Sequence, residues 1–314
     1  MSSRYVVVVG GANMDLKARS SAPLVSATSN PGTATVTPGG VGRNVAENLA
    51  RLGTPVQLVA AVGDDVFGHA LFRETAAAGV GLDLVRRGPW TTGTYVAVID
   101  ETGELAVAVA DMEATDALTP DDVDAAAHLV RGAALLVLDA NLAPPTLAAA
   151  LDLGATKGVP VIVDPVSVPK AARMAPVLDG SRSLLALTPN RDELAALTGR
   201  PVATHGELLD ASAVLHERGV HHVWTGLGRA GSLLVTAGED PLLVPASPVD
   251  AVDVTGAGDA MLAGFCHALL RERDIGACAR FGQAAAELTL AAEGTVRADL
   301  SVALVDAHLA ETGR

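Results

Sequence analysis

The segment Asp253-Val254-Thr255-Gly256-Ala257-Gly258-Asp259 combines a place for an anion with a place for a base. Gly256 and Gly258 leave the backbone open to close approach, and a helix starting near Ala257 would aim unpaired N–H groups at the bound group. Those groups carry roughly +0.5 of an elementary charge in aggregate. Met261, Phe265 and Leu269 recur at helical spacing, so one face of this helix is expected in a core, which fixes where its N-terminus points. Asp259 then lies beside the anion, where it can accept the proton of an attacking alcohol. The chemistry this spacing points to is phosphoryl transfer onto a hydroxyl, with Gly256, Ala257 and Gly258 as the anion hole. An ordinary aspartate titrates at about 3.9, so positioning is expected to matter more than basicity.

A second glycine-rich turn, Gly39-Gly40-Val41-Gly42-Arg43-Asn44, feeds a helix with Val45, Leu49 and Leu52 on one stripe. Asn44 in its first turn, with Asn13 and Asp15 after the first strand, forms a donor and acceptor set suited to sugar hydroxyls, although helix capping explains any one of them. Asn190 and Glu193 follow a buried strand and enter another helix. Glu193 is expected to hold metal-bound water while Asn190 faces a phosphate oxygen; the competing explanation is a helix cap. Thr225, Gly226, Gly228 and Gly231 form a turn open enough for a nucleotide to pass, or a plain hairpin. None of the eight histidines has metal-ligand spacing, and Cys266 and Cys278 read as small core residues.

These residues need a scaffold. Short β-rich runs at 5–9, 56–62, 135–138, 159–163, 184–187 and 222–225 alternate with Ala/Leu-rich helical stretches. Such a pattern predicts an α/β fold with a mostly parallel sheet covered on both faces, whose carboxyl edge collects Asn13, Asp15, Asn141, Asp164, Asn190 and Gly226. Two regions break the alternation, 16–38 and 92–110, and are read as strands of a small β lid on a single domain of 1–314 that shields the reaction from water. At 314 residues and 49% hydrophobic, the chain has material for a large core. Its net charge of −14 opposes binding to nucleic acid or an anionic membrane, so an anionic nucleotide needs local capture by dipoles, metal and a few cations. The N-terminal apolar run is too short for a signal peptide, and the cytoplasm is the expected compartment.

Both glycine motifs, and Asn190 with Glu193, resemble the ribokinase-like (phosphofructokinase-B type) carbohydrate and nucleoside kinases, from about residue 5 to 309. Within that family, the segments 10–15, 28–32, 43–49 and 164–167 are most similar to bacterial pseudouridine kinases. The resemblance implies a three-layer ribokinase-like sandwich and ATP- and Mg2+-dependent phosphorylation of the pseudouridine 5′-hydroxyl, with Asp259 as base. Asp15, Gly39, Gly40 and Asn44 fall at substrate positions beside Asn13, with Ser29 and Asn30 as lid candidates for reading the base. Asp139 and Asn141 stand where ribokinases place the acid that holds the sugar. Thr225, Gly226, Gly228, Gly231 and Gln283 fall on the ATP side, Gln283 near the adenine. Asp253 and Thr255, with carbonyls near Thr289, Ala292 and Gly294, resemble a monovalent-cation site suited to K+ behind the anion hole. A homodimer through the lid is expected from its unpaired edges.

Ribose, a ketose or uridine is the alternative acceptor. A dinucleotide-dependent oxidoreductase is disfavoured because neither Gly10-Gly11 nor 40–45 keeps the G-x-G-x-x-G spacing. A non-catalytic nucleotide-binding protein is disfavoured by Asp259 beside the anion hole.

Overall fold

The computed structural model describes residues 4–252 and 254–313. Its strands are β1 (Val6–Val9), β2 (Asn13–Ser20), β3 (Gly32–Gly39), β4 (Val56–Gly63), β5 (Gly81–Gly88), β6 (Gly93–Ile99), β7 (Leu105–Asp111), β8 (Leu135–Asp139), β9 (Val161–Asp164), β10 (Leu184–Leu187), β11 (Val220–Gly226), β12 (Ser232–Thr236) and β13 (Leu242–Val244). Nine of them form one sheet in the order β13-β12-β11-β10-β9-β8-β1-β4-β5. Neighbours from β10–β11 across to β5 run parallel, while β12 and β13 return antiparallel.

Four consecutive valines make β1, and successive side chains leave a strand on opposite sides. Val6 and Val8 therefore enter one apolar layer with Val45, Leu49 and Phe265, and Val7 and Val9 enter the other with Leu138, Leu147 and Ala150. Helices thus cover both faces, as the unbroken apolar runs required. Parallel connections bring every β-strand end of the same polarity to one edge, and there the polar residues gather.

The remaining strands form a second sheet, β3-β2-β6-β7. It starts at Asn13, earlier than the expected residue 16, so Asn13 and Asp15 belong to its first strand rather than to a loop after β1. Alternation along β2 gives this sheet two different faces. Asp15 and Lys17 share one, with Ala97 opposite Lys17 and buried. Leu16 shares the other with its register partners Val36 and Val96, and Val96 pairs in turn with Val109. Val36, Val107 and Val109 are 50%, 55% and 65% exposed, so that second face is apolar and open.

Candidate active site

The helix Ala257–Leu270 begins on Gly256, whose φ of 80° is left-handed. A side chain there would be strained, and its Cβ would lie 1.9 Å from the carbonyl oxygen of Thr295. Thr295 in turn donates from Oγ1 to the carbonyl of Pro38 at 3.0 Å, so the loop behind this turn is tied to the strand that leads into the other glycine turn. Along the helix, Met261 and Phe265 are buried, which sets the direction of its amino end.

The second turn feeds the helix Val41–Arg51. From its first turn, the Asn44 amide donates from Nδ2 to Oδ2 of Asp259 at 2.8 Å. The other end of that amide is also fixed, because Arg43 Nη1 donates to Asn44 Oδ1 at 2.9 Å. Arg43 is buried and ion-paired with Glu47, which also takes Arg51. Burial lowers the Arg43 pKa to about 10, and the carboxylates of Glu74, Asp15 and Asp259 work against that shift. A chain of charges buried in one helix therefore orients the amide that holds Asp259.

Asp259 is 8% exposed. Burial raises its pKa well above the usual carboxylate value, and the charge of Asp164 raises it further; the Asn44 hydrogen bond pulls the other way. Asp259 is thus a stronger base than the ordinary aspartate expected from the sequence. Asp164, at the end of β9, is pushed to about 7, first by burial and then by Glu193. It accepts from the Val166 N–H at 2.8 Å and from Thr188 Oγ1 at 3.0 Å. Val166, a β-branched residue, sits at φ 71°, and the Ser167 N–H closes back onto the Pro165 carbonyl at 2.8 Å. This strained three-residue turn wraps the Asp164 carboxylate.

Other expected residues fall into two groups. Asn13, Asp15, Gly39, Gly40 and Asn44 come together: Asn13 Nδ2 donates to Asp15 Oδ1 at 2.7 Å, Asn13 pairs with Gly39, and the Asn44 N–H donates to the Gly40 carbonyl at 2.8 Å. On the other side, Gly226 bridges to Asn190 and donates to the Pro189 carbonyl at 2.9 Å, which sets the 225–231 turn beside Glu193. That turn closes an antiparallel β11–β12 hairpin, the simpler of its two readings. The Thr225 hydroxyl is buried without a hydrogen-bond partner.

Several residues are committed elsewhere. Asp139 was expected to hold substrate, yet its Oδ2 accepts from Gly11 N at 2.8 Å and Gly42 N at 2.7 Å, and its Oδ1 from Asn141 N at 2.9 Å. This buried carboxylate fastens the Gly10-Gly11 turn to the Gly39–Asn44 turn through their backbone N–H groups; a Cβ on Gly10 would lie 2.3 Å from it. The Asn141 side chain accepts from Lys170. Glu193 and Asn190 form a full capping box, with both Glu193 oxygens at 2.8 Å from Asn190 nitrogens, so the capping alternative describes their mutual geometry. Gln283 is buried between Ser232 Oγ at 2.9 Å and Glu287 Oε1 at 3.3 Å, with both ends of its amide engaged by those side chains. Asn30 folds back onto Val25 and Thr28 within an exposed loop that also holds Ser29. Thr289 donates to the Ala285 carbonyl, and its own carbonyl accepts from the Ala292 N–H at 3.0 Å. Gly294 is left-handed at φ 86°, one residue before Thr295. Asp253, the expected cation ligand, lies outside the described residues.

Two contributors have no assigned role in the sequence, Arg43 and Lys17, and a third, Asp164, is placed at the carboxyl edge without one. Lys17 could have been found, because it sits two residues beyond Asp15 on a strand and so shares its face. Its ammonium donates to Thr255 Oγ1 at 3.0 Å.

Against known proteins, a family model described as pfkB family carbohydrate kinase matches residues 3–301. The chain is 36% identical over 304 residues to pseudouridine kinase of Escherichia coli (strain K12), covering 96% of this chain and 95% of that one. It is 32% identical over 303 residues to ribokinase of Arabidopsis thaliana, covering 93% and 77%. Among solved structures, Arabidopsis thaliana ribokinase complexed with ribose and ATP superimposes with a TM-score of 0.86 at 29% identity, over 98% of this chain and 99% of that one.

Proposed function

The chain belongs to the pfkB family of carbohydrate kinases, and from that membership we propose that it transfers the γ-phosphoryl group of ATP to the 5′-hydroxyl of pseudouridine, giving pseudouridine 5′-phosphate and ADP. The observation that carries this reading is Asp259, a buried carboxylate in the first turn behind Gly256, joined by Asn44 to the polar set of Asn13, Asp15 and Gly39. A hydroxyl held by that set faces a base on one side and an anion hole on the other. In the transfer, the acceptor oxygen bonds to the γ-phosphorus, the bond from that phosphorus to the ADP oxygen breaks, and the hydroxyl proton goes to Asp259. The electron pair of the broken bond leaves with ADP, and the N–H groups of 257–259 take up charge on the phosphoryl oxygens.

A divalent ion fits this edge, since Mg2+ is usually held by one or two carboxylates together with the phosphates, and the Glu193 carboxylate acts on that of Asp164 there. Bound with ATP, Mg2+ would neutralise the β- and γ-phosphates. Thr255 and the 289–294 loop would hold a monovalent cation behind the hole. The small sheet is assigned as a lid and as the contact between two copies of the chain, and a cytoplasmic setting suits both ATP and the buried unpaired thiols of Cys266 and Cys278.

Identity to the E. coli pseudouridine kinase over nearly the whole of both chains favours pseudouridine. The match to a ribokinase keeps ribose, a ketose or uridine as the second reading. Coupled ADP release with pseudouridine, uridine, ribose and fructose decides between them. The highest kcat/KM is expected for pseudouridine; a higher value for any of the others reassigns the acceptor, and no ADP release with any of them removes the kinase reading.

A further inference from the structure

The field around Asp259 is negative. Asp164, Asp139 and Asp15 all act on it electrostatically, in a chain of net charge −14. A triphosphate entering such a site is repelled by every carboxylate that organises it, so the helix N-terminus needs a cation beside it. The small sheet supplies one. Lys17 shares the site-facing side of β2 with Asp15, is half-buried, and donates from Nζ to Thr255 Oγ1 across 238 residues of sequence. Thr255 is the residue before Gly256, so the ammonium rests on the rim of the anion hole.

Building on the kinase reading, we propose that Lys17 is a phosphate-binding residue of the reaction, carried on the lid strand. Its ammonium leaves the Thr255 hydroxyl for the oxygens of the transferred phosphoryl group once nucleotide and acceptor are both bound. Lys17 gives and takes no proton in this role; it offsets charge that spreads over those oxygens while the proton goes to Asp259. Because Asp15 and Lys17 are two residues apart on one strand, the same lid movement that brings Asp15 to the acceptor brings the cation to the phosphate. The lid would then complete the catalytic site as well as exclude water.

The test is Lys17→Met, with Lys17→Arg as the conservative variant, read by coupled ADP release and by calorimetric binding of ADP and of a non-hydrolysable ATP analogue. Lys17→Met should lose roughly 10²-fold in kcat, as for loss of one group that meets developing charge. It should also bind the ATP analogue about ten-fold more weakly and ADP as the wild type does, because the missing contact is to the third phosphate. Lys17→Arg should recover most of the turnover. Normal kcat in Lys17→Met, or a loss confined to the KM of the acceptor, would overturn the proposal and leave Lys17 a strut for the lid. A wild-type protein that releases no ADP with any acceptor defeats the kinase reading itself, and this proposal with it.

Discussion

The amide of Asn44 stands 2.8 Å from the carboxylate of Asp259 and connects the first turns of two helices 215 residues apart in sequence. Each of those helices begins at a glycine with positive φ, Gly40 at 93° and Gly256 at 80°. The two glycine turns therefore act as one unit. In the proposed transfer one would present backbone N–H groups to an anion and the other side chains to a hydroxyl, with the Asn44–Asp259 bond fixing the distance between those two jobs.

Burial and the charge of Asp164 hold the Asp259 pKa well above that of an ordinary aspartate. A base must be ionised to work, so kcat/KM should rise with pH along an acid limb displaced above the usual carboxylate range. Since Asp259 and Asp164 interact, that limb belongs to the pair. Asp259→Asn should remove the limb and lower kcat by about 10² or more, with nucleotide binding retained in calorimetry. Near-normal turnover by this variant would end the assignment of Asp259 as base.

Asn44→Ala removes a hydrogen bond that favours the ionised form of Asp259. The pKa of the base should climb further, so the acid limb of the kcat/KM profile should move to higher pH, while kcat falls roughly ten-fold or more from lost positioning. A profile that keeps its limb in place would show that Asn44 is only a helix residue near the site.

Asp139 fastens the Gly10-Gly11 turn to the turn at Gly39–Asn44. Asp139→Asn puts an NH2 group where either the Asn141 N–H or both the Gly11 and Gly42 N–H groups now point. A donor facing a buried donor should cost on the order of 1–3 kcal/mol. Urea unfolding should show the midpoint falling with an unchanged slope. The KM of the acceptor should rise with it, because Gly42 lies next to Arg43 and Asn44 in the first turn of the helix.

What could be read in the sequence was set by how local the signal is. β1, β4, β8, β9, β10 and β11 are short, mostly apolar runs because most of their residues are buried, and the two glycine turns are contiguous strings. β5 ends in Leu84-Val85-Arg86-Arg87-Gly88 at the edge of the large sheet and lacks such a run. The role of Asp139 depends on three N–H groups brought together over as many as 128 residues, which no local pattern encodes. For Asn190 and Glu193, capping and metal chemistry use the same residue types at the same spacing, so only coordinates show the capping box. The contact of Lys17 with Thr255 spans 238 residues, so no local pattern announces it.

The outer face of the small sheet makes a prediction about assembly. Leu16, Val36, Val96, Val107 and Val109 line it, away from Asp15 and Lys17. Such an apolar face, on a sheet whose outer strands β3 and β7 leave edges open, suits burial against a second copy. Sedimentation should give a dimer, and the double substitution Val107→Lys with Val109→Lys should give a monomer. A wild-type monomer at assay concentration would reject this contact.

Asp164 separates the demands of function from those of stability. In the unfolded chain its carboxyl titrates near the ordinary 3.8; in the folded protein burial and Glu193 hold it at about 7. Between those values the folded state holds a proton that the unfolded state has lost. The free energy of unfolding therefore falls as pH rises from about 4 to about 7, and the penalty is complete above that. Asp164→Asn removes the ionisation while its oxygen still accepts from Val166 N. The new NH2 can donate to Thr188 Oγ1, whose hydroxyl already lies 3.4 Å from the Val163 carbonyl and can turn its proton there. With both contacts kept, the variant should be more stable than the wild type at pH 8, by on the order of 1–3 kcal/mol, and about equal to it at pH 4. Denaturant midpoints across that range would show it as a flatter pH profile. The same substitution removes a carboxylate from the edge where Glu193 and the phosphates would share Mg2+, so the Mg2+ concentration for half-maximal rate should rise as stability does. A variant that is stabilised and equally active at low Mg2+ would confine Asp164 to the strained turn at Val166 and leave Glu193 as the carboxylate on the metal.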